Sequence, residues 1–430
     1  MDNKLVYRRM YPEIAGHLDA PEITVIIGPR QVGKTTLIFQ LKEELLERKN
    51  VQPAHVYYFN LDIISDRTIF ATQTEFINFL KRRISPGNTL YVFVDEVQRI
   101  ENSGMFFKGV YDLGLPAKLV LTGSSSLEIR AKVVEPLTGR KKLFFLPPLD
   151  FGEYVSFHDA SLLPFLPQDD AYAKEKLLEY LYDFISFGGY PKVALDRDRE
   201  KKIGYLEEIF TSYVEKDVVG FMRIKDAFVF SRLVKILAEE IGNLFNVQSI
   251  SRELGMKNET VNHYVDILEK TYIVQRAVPF FGSTRTEVRK MPKMYFWDTG
   301  MRNFAKYFRD FPLADFSERK DKGFLLENFI FSELIKTGLP DIHFWRTKDE
   351  AEVDFVVQKG GKPIPIEVKT APAGEISPSR SFLSFIKRYK PQTGVIISLH
   401  AQPARTIDST NVYFKLPYQL TPFLAQTTSL

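Results

Sequence analysis

A glycine-rich turn between a predicted strand and a predicted helix limits the possible folds of this chain more than any other feature. The segment GPRQVGKT at 28–35 matches the pattern GxxxxGK[ST] at every fixed position. The preceding EITVII is typical of a buried strand, and apolar residues recur at helical spacing within 35–49. Such a turn directs backbone N–H groups and a helix N-terminus at one point. The pattern therefore predicts a phosphate-binding loop.

Side chains in and after this loop have predicted roles in nucleotide chemistry. Lys34 carries a positive charge for the β- and γ-phosphates, and Thr35 offers a hydroxyl to Mg²⁺. The apolar run LYVFVDE ends in Asp95, which can complete the Mg²⁺ shell, and Glu96, which can polarise a water. The alternative for this acidic pair is two solvated side chains at a strand end.

A third predicted strand, KLVLTG, is followed by Ser124 and Ser125. Ligands of parallel sheets gather at the carboxyl ends of the strands. We therefore expect one of these two serines to contact the γ-phosphate or the attacking water.

Composition restricts the class of protein. A chain of 430 residues predicts two or three domains. The absence of cysteine excludes disulfides and thiolate zinc sites and is compatible with a reducing cytoplasm. No apolar run approaches the length of a membrane span, and the N-terminal residues lack a signal-peptide core. We expect a cytoplasmic protein without a membrane partner.

The order of predicted elements suggests four parts. Strands alternate with helices up to about residue 150, which is the α/β pattern of a doubly wound parallel sheet. A loop is predicted at 151–170, followed by mostly helical sequence to about 240. The predicted domains are a P-loop core at 1–150, a helical lid region at 151–240, a winged-helix element at 241–310 and a C-terminal α/β domain at 311–430.

The winged-helix prediction rests on a short helix, a turn at Gly255, a second helix and a strand. The second helix would expose near its start the side chains expected of a helix that enters the major groove of DNA, namely Lys257, Asn258, Asn262 and His263. The alternative is a winged helix that serves only in protein packing or as a lid element.

The segment 276–309 is rich in basic and aromatic residues. It contains eight basic residues against two acids, with five aromatic residues from Phe280 to Trp297 interleaved. This composition suggests a nucleic-acid surface, and the alternative is a solvated wing and helix face.

Three acids and a lysine of the C-terminal third suggest a second chemical site. Glu327 lies in an apolar predicted helix, Asp354 on the second strand of a predicted hairpin, and Glu367 and Lys369 on the strand that follows the Gly360–Gly361 turn. Together they could bind one hard cation and position a water, as in metal-assisted phosphodiester hydrolysis. We therefore expect a second Mg²⁺ or Mn²⁺ here; the alternative is a sheet with edge charges.

The motifs GPRQVGKTT, VFVDEVQRI, LTGSSS, LTGR, KKLFFLPPLDFGEY, GGYP and YVEKDV together resemble AAA-type (AAA+ superfamily) ATPases that carry a C-terminal DUF4143 domain. The resemblance implies ATP as the nucleotide, a Walker B pair at Asp95 and Glu96, and a sensor-like Ser124 or Ser125. It implies a Walker A loop made of Gly28, Pro29, Arg30, Gln31, Val32, Gly33, Lys34, Thr35 and Thr36.

The same resemblance implies a winged helix and a terminal domain similar to PD-(D/E)xK nucleases. Glu327, Asp354, Glu367 and Lys369 can be placed on that pattern, although Val353 stands where the pattern often has proline. Nuclease activity is an added property that this likeness suggests.

AAA-type enzymes usually take an arginine from a neighbouring subunit, which predicts a homo-oligomer, with a hexameric ring as one arrangement. Arg140 is the first candidate and Arg130 the second; the alternative is a surface arginine. The leading hypothesis is a Mg²⁺-dependent ATPase that remodels or translocates duplex or branched DNA. The alternative is an ATP-dependent switch or scaffold for a protein partner.

Overall fold

The chain divides into two units, which are described separately. One comprises Met1–Pro148 with Lys270–Tyr272, and the other comprises Leu149–Glu269 with Ile273–Leu430. The structure is a computed structural model that describes residues 7–124, 135–213, 227–280, 291–308, 310–311, 316–339, 341–372, 374 and 376–426. The predicted site residues Ser125 and Arg130 lie outside the described residues.

The first unit contains a parallel sheet of five strands in the order β2-β3-β4-β1-β5. The strands are β1 Ile23–Gly28, β2 Val56–Asn60, β3 Leu90–Asp95, β4 Ala117–Ser124 and β5 Lys141–Phe145. The strands β1 and β3 are buried along their whole length, as apolar strands of a sheet covered on both faces must be. The five strands predicted from the sequence and the predicted α/β sheet are confirmed.

Helices of the first unit alternate with these strands. They are α1 Tyr11–Gly16, α2 Lys34–Glu43, α3 Ile64–Arg67, α4 Gln73–Lys81 and α5 Ser103–Tyr111. The start of α4 is fixed by a capping box, in which Thr72 and Glu75 each accept the other's backbone N–H.

The second unit begins with helices. Among the described residues its helices are α6 Phe151–Asp159, α7 Ala171–Phe187, α8 Pro191–Ala194, α9 Arg199–Ser212, α10 Ala227–Glu239, α11 Val247–Leu254, α12 Asn258–Lys270, α13 Thr299–Tyr307, α14 Lys322–Lys336, α15 Arg380–Tyr389 and α16 Leu420–Gln426. The predicted loop at 151–170 is wrong, because α6 and a 3₁₀ turn at Ala160–Phe165 occupy most of it. A capping box between Asp150 and Glu153 starts α6.

A mixed sheet of eight strands forms the rest of the second unit. Its strands are β6 Val274–Pro279, β7 Lys293–Phe296, β8 Ile342–Arg346, β9 Glu352–Lys359, β10 Lys362–Lys369, β11 Thr393–Ser398, β12 Arg405–Ile407 and β13 Thr410–Lys415. Their order is β12-β13-β11-β10-β9-β8-β6-β7. The predicted hairpin across Gly360–Gly361 is confirmed, since Lys359 pairs with Lys362 in an antiparallel register.

The two faces of this sheet are covered by different helices. Apolar side chains of α14, among them Leu326 and Phe329, share a core with Phe355 and Ile366 on one face. Side chains of α15 pack with Val353 and Ile396 of β9 and β11 in a second core. Burial on both faces explains the apolar character of β11 and of the middle of β10.

The GGYP turn after α7 is locked to the start of α13. Asp298 is buried, and its carboxylate accepts the backbone N–H groups of Gly189 at 2.7 Å and Met301 at 3.0 Å. A Cβ on Gly300 would overlap the backbone carbonyl of Phe187. The two segments therefore approach so closely that only glycine fits at position 300 without a shift of the backbone.

Candidate functional site

The phosphate-binding loop runs from the end of β1 to the start of α2. Gly33 has φ of 93°, a left-handed conformation that favours glycine, and α2 follows immediately at Lys34. The N-cap residue Gly33 makes no side-chain hydrogen bond to the helix start. The N–H groups of a helix's first turn have no partner within the helix and suit an anion, as the sequence motif predicts.

Lys34 lies within the loop rather than in solvent. Its side chain is 6% exposed, and Nζ donates to the carbonyl oxygens of Gly28 at 3.0 Å and Pro29 at 2.8 Å. Arg8 supports the loop from the N-terminal segment, since its guanidinium donates to the carbonyls of Val32 at 2.9 Å and Pro147 at 2.7 Å. The ammonium is thus held where phosphates would bind.

The two predicted Mg²⁺ ligands lie side by side. Thr35 Oγ1 donates to Asp95 Oδ2 at 2.7 Å, and this bond joins the start of α2 to the end of β3. The buried hydroxyl of Thr122 on β4 donates to the other oxygen of the same carboxylate. Tyr58 on β2 also reaches Asp95, with its hydroxyl 3.4 Å from Oδ2. Donors from three elements, α2, β4 and β2, therefore fix the orientation of this acid.

Glu96 follows Asp95 in a left-handed conformation, with φ of 60° and ψ of 46°. Such a backbone is uncommon for a residue other than glycine and is often found at functional sites. Burial raises the pKa of Glu96 above its ordinary value, Lys34 opposes that rise, and Asp95 adds to it. The side-chain amide of Gln98 donates to Glu96 Oε2. The carboxylate of Glu96 is therefore oriented by a hydrogen bond, and its proton affinity is above the ordinary value, as a general base requires.

The remaining candidates of the first unit differ in position. The backbone of Ser124 lies beside Gly28 in the register of β1 and β4, next to the loop. Arg140 precedes β5, and its carbonyl accepts the N–H of Ile23 at the amino end of β1. Its guanidinium forms a bidentate pair with Asp112, at 2.6 Å and 3.1 Å. Arg140 therefore lies at the amino-terminal end of the parallel strands, opposite the end that carries the loop.

These residues fit a magnesium nucleotide. The start of α2 and Lys34 suit a phosphate chain, and Thr35 with Asp95 supplies hard oxygen ligands for Mg²⁺. Glu96 follows Asp95 directly in the chain.

The predicted acids of the second unit also come together. Burial raises the pKa of Asp354 well above its ordinary value, and the charges of Glu327 and Glu367 add to this rise. Lys369 Nζ lies 3.4 Å from Glu367 Oε1. Yet no three His, Asp or Glu side chains of the described residues are grouped so that they could hold a metal ion. The second Mg²⁺ or Mn²⁺ expected from the sequence is not supported.

The basic and aromatic segment has mostly internal roles. Arg276 pairs with Asp266 at 2.9 Å and with Glu269 at 2.8 Å, and Arg302 is buried against Asp321 at 2.7 Å. The aromatic side chains at 280 and 295–297 are also buried. These residues therefore do not form the exposed nucleic-acid surface suggested by composition; Arg285, Arg289, Lys290 and Arg309 lie outside the described residues.

By contrast, the polar residues near the start of α12 are exposed as predicted. They are Lys257, Asn258, Asn262 and His263. A turn at Gly255 joins α11 to α12, and β6 and β7 follow as an antiparallel pair.

No helix of the described residues is long and apolar enough to cross a membrane.

Three family models match the chain. Residues 20–155 match an AAA domain, residues 178–311 a domain of unknown function, DUF8612, and residues 322–418 a second domain of unknown function, DUF4143. The first match contains the loop, Asp95 and Glu96. This chain carries an AAA domain and a DUF4143 domain. The likeness to AAA-type ATPases seen in the sequence motifs is thereby confirmed, and the five-stranded sheet is that of a P-loop NTPase.

Three relatives that match most of this chain are described as uncharacterized proteins. One from Methanocaldococcus jannaschii is 28% identical over 78% of this chain and 72% of its own length. One from Haemophilus influenzae is 24% identical over 86% of this chain and 88% of its own length. One from Mycobacterium tuberculosis is 26% identical over 83% of this chain and 72% of its own length.

Two solved structures are similar to parts of the chain. The C. elegans PCH-2 structure matches at 13% identity and a TM-score of 0.27, over 37% of this chain and 48% of that chain, which is less than half of its length. The ADP form of the Aeropyrum pernix ORC2 protein matches at 13% identity and a TM-score of 0.32, over 62% of this chain and 84% of that chain.

Three residues of the AAA domain and its N-terminal flank were missed in the sequence. Thr122 lies two residues before Ser124 in a strand already assigned to the site, and strand alternation places its side chain on the same face. Tyr58 lies in the middle of β2, which is also a strand predicted from the sequence. Arg8 has no local signal, because it acts on carbonyl groups 24 and 139 residues away.

Proposed function

We propose that this chain is a Mg²⁺-dependent ATPase of the AAA type that acts on DNA. The hydrogen bond between Thr35 and Asp95 carries the first part of this proposal. It brings the Walker A hydroxyl and the Walker B carboxylate to one point, beside Lys34 and Glu96. Glu96 is a half-buried acid whose pKa is raised by burial, and acids with perturbed pKa values cluster at catalytic sites.

Each residue has a defined part in hydrolysis. The N–H groups of the loop and Lys34 bind the β- and γ-phosphates and offset their charge. Thr35 and Asp95 would hold Mg²⁺, which on binding neutralises charge on the phosphate oxygens. Glu96 accepts a proton from the attacking water at a carboxylate oxygen, and Gln98 keeps that carboxylate oriented. Ser124, beside Gly28, is proposed to contact the γ-phosphate or the water.

A trans arginine and a homo-oligomer remain part of the proposal. Arg140 is engaged with Asp112 within its own domain, so its use as a finger requires that pair to open or to be shared at a subunit contact. Because both side chains are partly exposed, water screens this pair and opening it costs little. A hexameric ring is one such assembly, and the cytoplasmic location remains a prediction.

DNA binding is proposed for α12. The order of α11, α12, β6 and β7 is that of a helix-turn-helix followed by a wing, and Lys257 and Asn258 are exposed at the start of the second helix. An exposed amide and a lysine at a helix start are the groups that contact base edges and phosphates.

One observation favours the alternative, an ATP-dependent switch that acts on a protein partner. The described basic residues Arg276 and Arg302, which would widen a DNA surface, are instead paired with acids. Under this alternative the winged-helix segment serves in packing, and ATP turnover does not respond to nucleic acid.

The deciding experiment measures ATP turnover and DNA binding of Lys257→Glu. We expect wild-type turnover to rise with one form of duplex or branched DNA, and this response to fall steeply with salt. Lys257→Glu should weaken DNA binding about tenfold on every sequence and lower the salt slope by roughly one, because a phosphate contact is lost. Basal turnover without DNA should not change.

The matched control is Lys201→Glu, which makes the same charge change at an exposed position on α9. It should bind DNA as the wild type does. Turnover indifferent to every DNA form at low salt would reject the DNA part of the proposal and favour the protein-partner switch.

A second prediction concerns Thr122→Val, which keeps the shape of the side chain and removes the hydroxyl that orients Asp95. We expect half-maximal ATP turnover to require about 10–100-fold more Mg²⁺, as for other groups that orient metal ligands. A Mg²⁺ titration measures this. Thr138→Val is the control, because the Thr138 hydroxyl donates only to the nearby carbonyl of Glu135 among the described residues. An unchanged Mg²⁺ requirement in Thr122→Val would contradict the role given to Thr122.

A further inference from the structure

A lysine from outside the DUF4143 match lies within the acidic cluster of the second unit. Lys293 Nζ is 3.2 Å from Glu327 Oε1 and 2.5 Å from Glu352 Oε1. Its side chain is 3% exposed and passes over the ring of Phe344, with Nζ 5.5 Å from the centroid. Lys293 belongs to the segment that matches DUF8612. Two family segments therefore build one cluster.

The acids predicted to bind a metal have protein donors. Asp354 Oδ2 accepts the N–H of Val368 at 2.7 Å, and Glu367 Oε2 accepts the N–H of Ser379 at 3.1 Å. The phenol of Tyr295 donates to the same oxygen of Glu327 that Lys293 contacts, at 2.5 Å. These contacts hold the acids in place without a metal ion.

The ammonium of Lys293 is strongly favoured in its charged form. Burial alone would lower the pKa of Lys293, but Glu327, Glu352 and Asp354 outweigh burial and hold its pKa above the ordinary value. A divalent cation bound to the same acids would lie close to this fixed positive charge, in surroundings where water screens poorly. Entry of the cation would require Lys293 to leave a buried ion pair, which is costly because its partners would be left uncompensated.

We propose that the ammonium of Lys293 takes the place of a divalent cation in this cluster, so that the C-terminal domain keeps a nuclease-like set of acids but does not bind a metal or cleave phosphodiester bonds. The domain would then serve as a binding or packing module. This inference is independent of ATP hydrolysis, because all its residues lie in the second unit.

The test uses Mn²⁺ alone as the probe, titrated into the nucleotide-free full chain and followed by the electron paramagnetic resonance signal of free Mn²⁺. Asp95→Asn serves as the background, since it removes the carboxylate ligand of the AAA domain. We expect this background to bind Mn²⁺ weakly, and the further change Asp354→Asn to make no difference. Adding Lys293→Met should tighten Mn²⁺ binding at least about tenfold, and Asp354→Asn should then abolish that gain.

Lys202→Met is the matched control. Lys202 is also buried and also paired with a carboxylate, Asp183, at 2.5 Å, so it reports the general effect of losing a buried ammonium. A folded Lys293→Met protein that binds Mn²⁺ no tighter than Lys202→Met would overturn the proposal.

Folding of the Lys293→Met protein does not limit the test. If that protein fails to fold, the test rests on the Mn²⁺ affinities of two proteins, the Asp95→Asn variant and the same variant with Asp354→Asn added. Equal weak binding supports the proposal, and tight binding that Asp354→Asn removes overturns it.

Discussion

Replacing Glu96 with glutamine is expected to lower ATP turnover by about 10²–10⁴-fold and to leave ATP binding intact. Glutamine keeps the size and polarity of the side chain, but it cannot accept a proton from water. The loop, Lys34 and the pair of Thr35 with Asp95 do not depend on it. Steady-state turnover and equilibrium binding of a labelled nucleotide measure the two effects separately.

The pH profile gives the same prediction a second readout. Because burial raises the pKa of Glu96, its proton is retained to a higher pH than usual, and turnover should fall as the pH drops through that raised value. The residual activity of Glu96→Gln should lack this acid limb. Glu101→Gln is the control, since Glu101 is exposed shortly after the same strand, and it should keep wild-type turnover. A Glu96→Gln enzyme with near-normal turnover would remove Glu96 from the mechanism.

Gly300→Ala is expected to lower the free energy of unfolding of the second unit by about 3 kcal/mol. The added methyl group would overlap the carbonyl oxygen of Phe187, and a backbone atom cannot move aside as a flexible side chain can. The buried carboxylate of Asp298 is hydrogen-bonded to Gly189 and Met301, one in each segment. The two backbones therefore cannot easily shift apart to relieve the strain. Urea unfolding followed by tryptophan fluorescence measures the change, because Trp297 and Trp345 are the two tryptophans and both lie in this unit.

The control for that substitution is Gly204→Ala. Gly204 is an exposed residue within α9, and outside the backbone of its own helix a Cβ there would have no atom of the described residues within 4 Å. Alanine is favoured over glycine in a helix by about 0.5–1 kcal/mol, so this change should stabilise the unit slightly. Equal unfolding midpoints for Gly300→Ala and the wild type would show that the close approach of α13 to the GGYP turn is not a constraint.

Local sequence patterns were sufficient for the loop between β1 and α2, for the position of the acids after β3 and for most strands. The loop motif and the acids after β3 lie within short segments, and parallel strands bring their carboxyl ends together without further information. The helix α6 was missed because its apolar residues show only weak helical periodicity. The capping box of Asp150 and Glu153 was nevertheless recognisable in the sequence.

Long-range contacts were beyond such patterns. In the sequence, Lys293 is one of several basic residues in a basic segment. Only the fold brings it into contact with Glu327, which is 34 residues away. Likewise, the density of charge near Arg276 gave no sign that its partners are Asp266 and Glu269 on the preceding helix. Charge counted along a chain does not distinguish a surface that attracts a partner from charges that neutralise one another inside.

The eight-stranded sheet also determines where this chain can be divided into fragments that fold. Strand β8 pairs with β6 on one side, and both β6 and its partner β7 come earlier in the chain, before the DUF4143 match begins. A fragment starting at residue 311 would leave one side of β8 as an uncovered edge with unpaired backbone groups, which invites pairing with other chains. It would also lack Lys293, the counter-charge of Glu327 and Glu352. Aggregation of such a fragment would therefore reflect a cut through a shared sheet rather than poor intrinsic stability of the C-terminal domain.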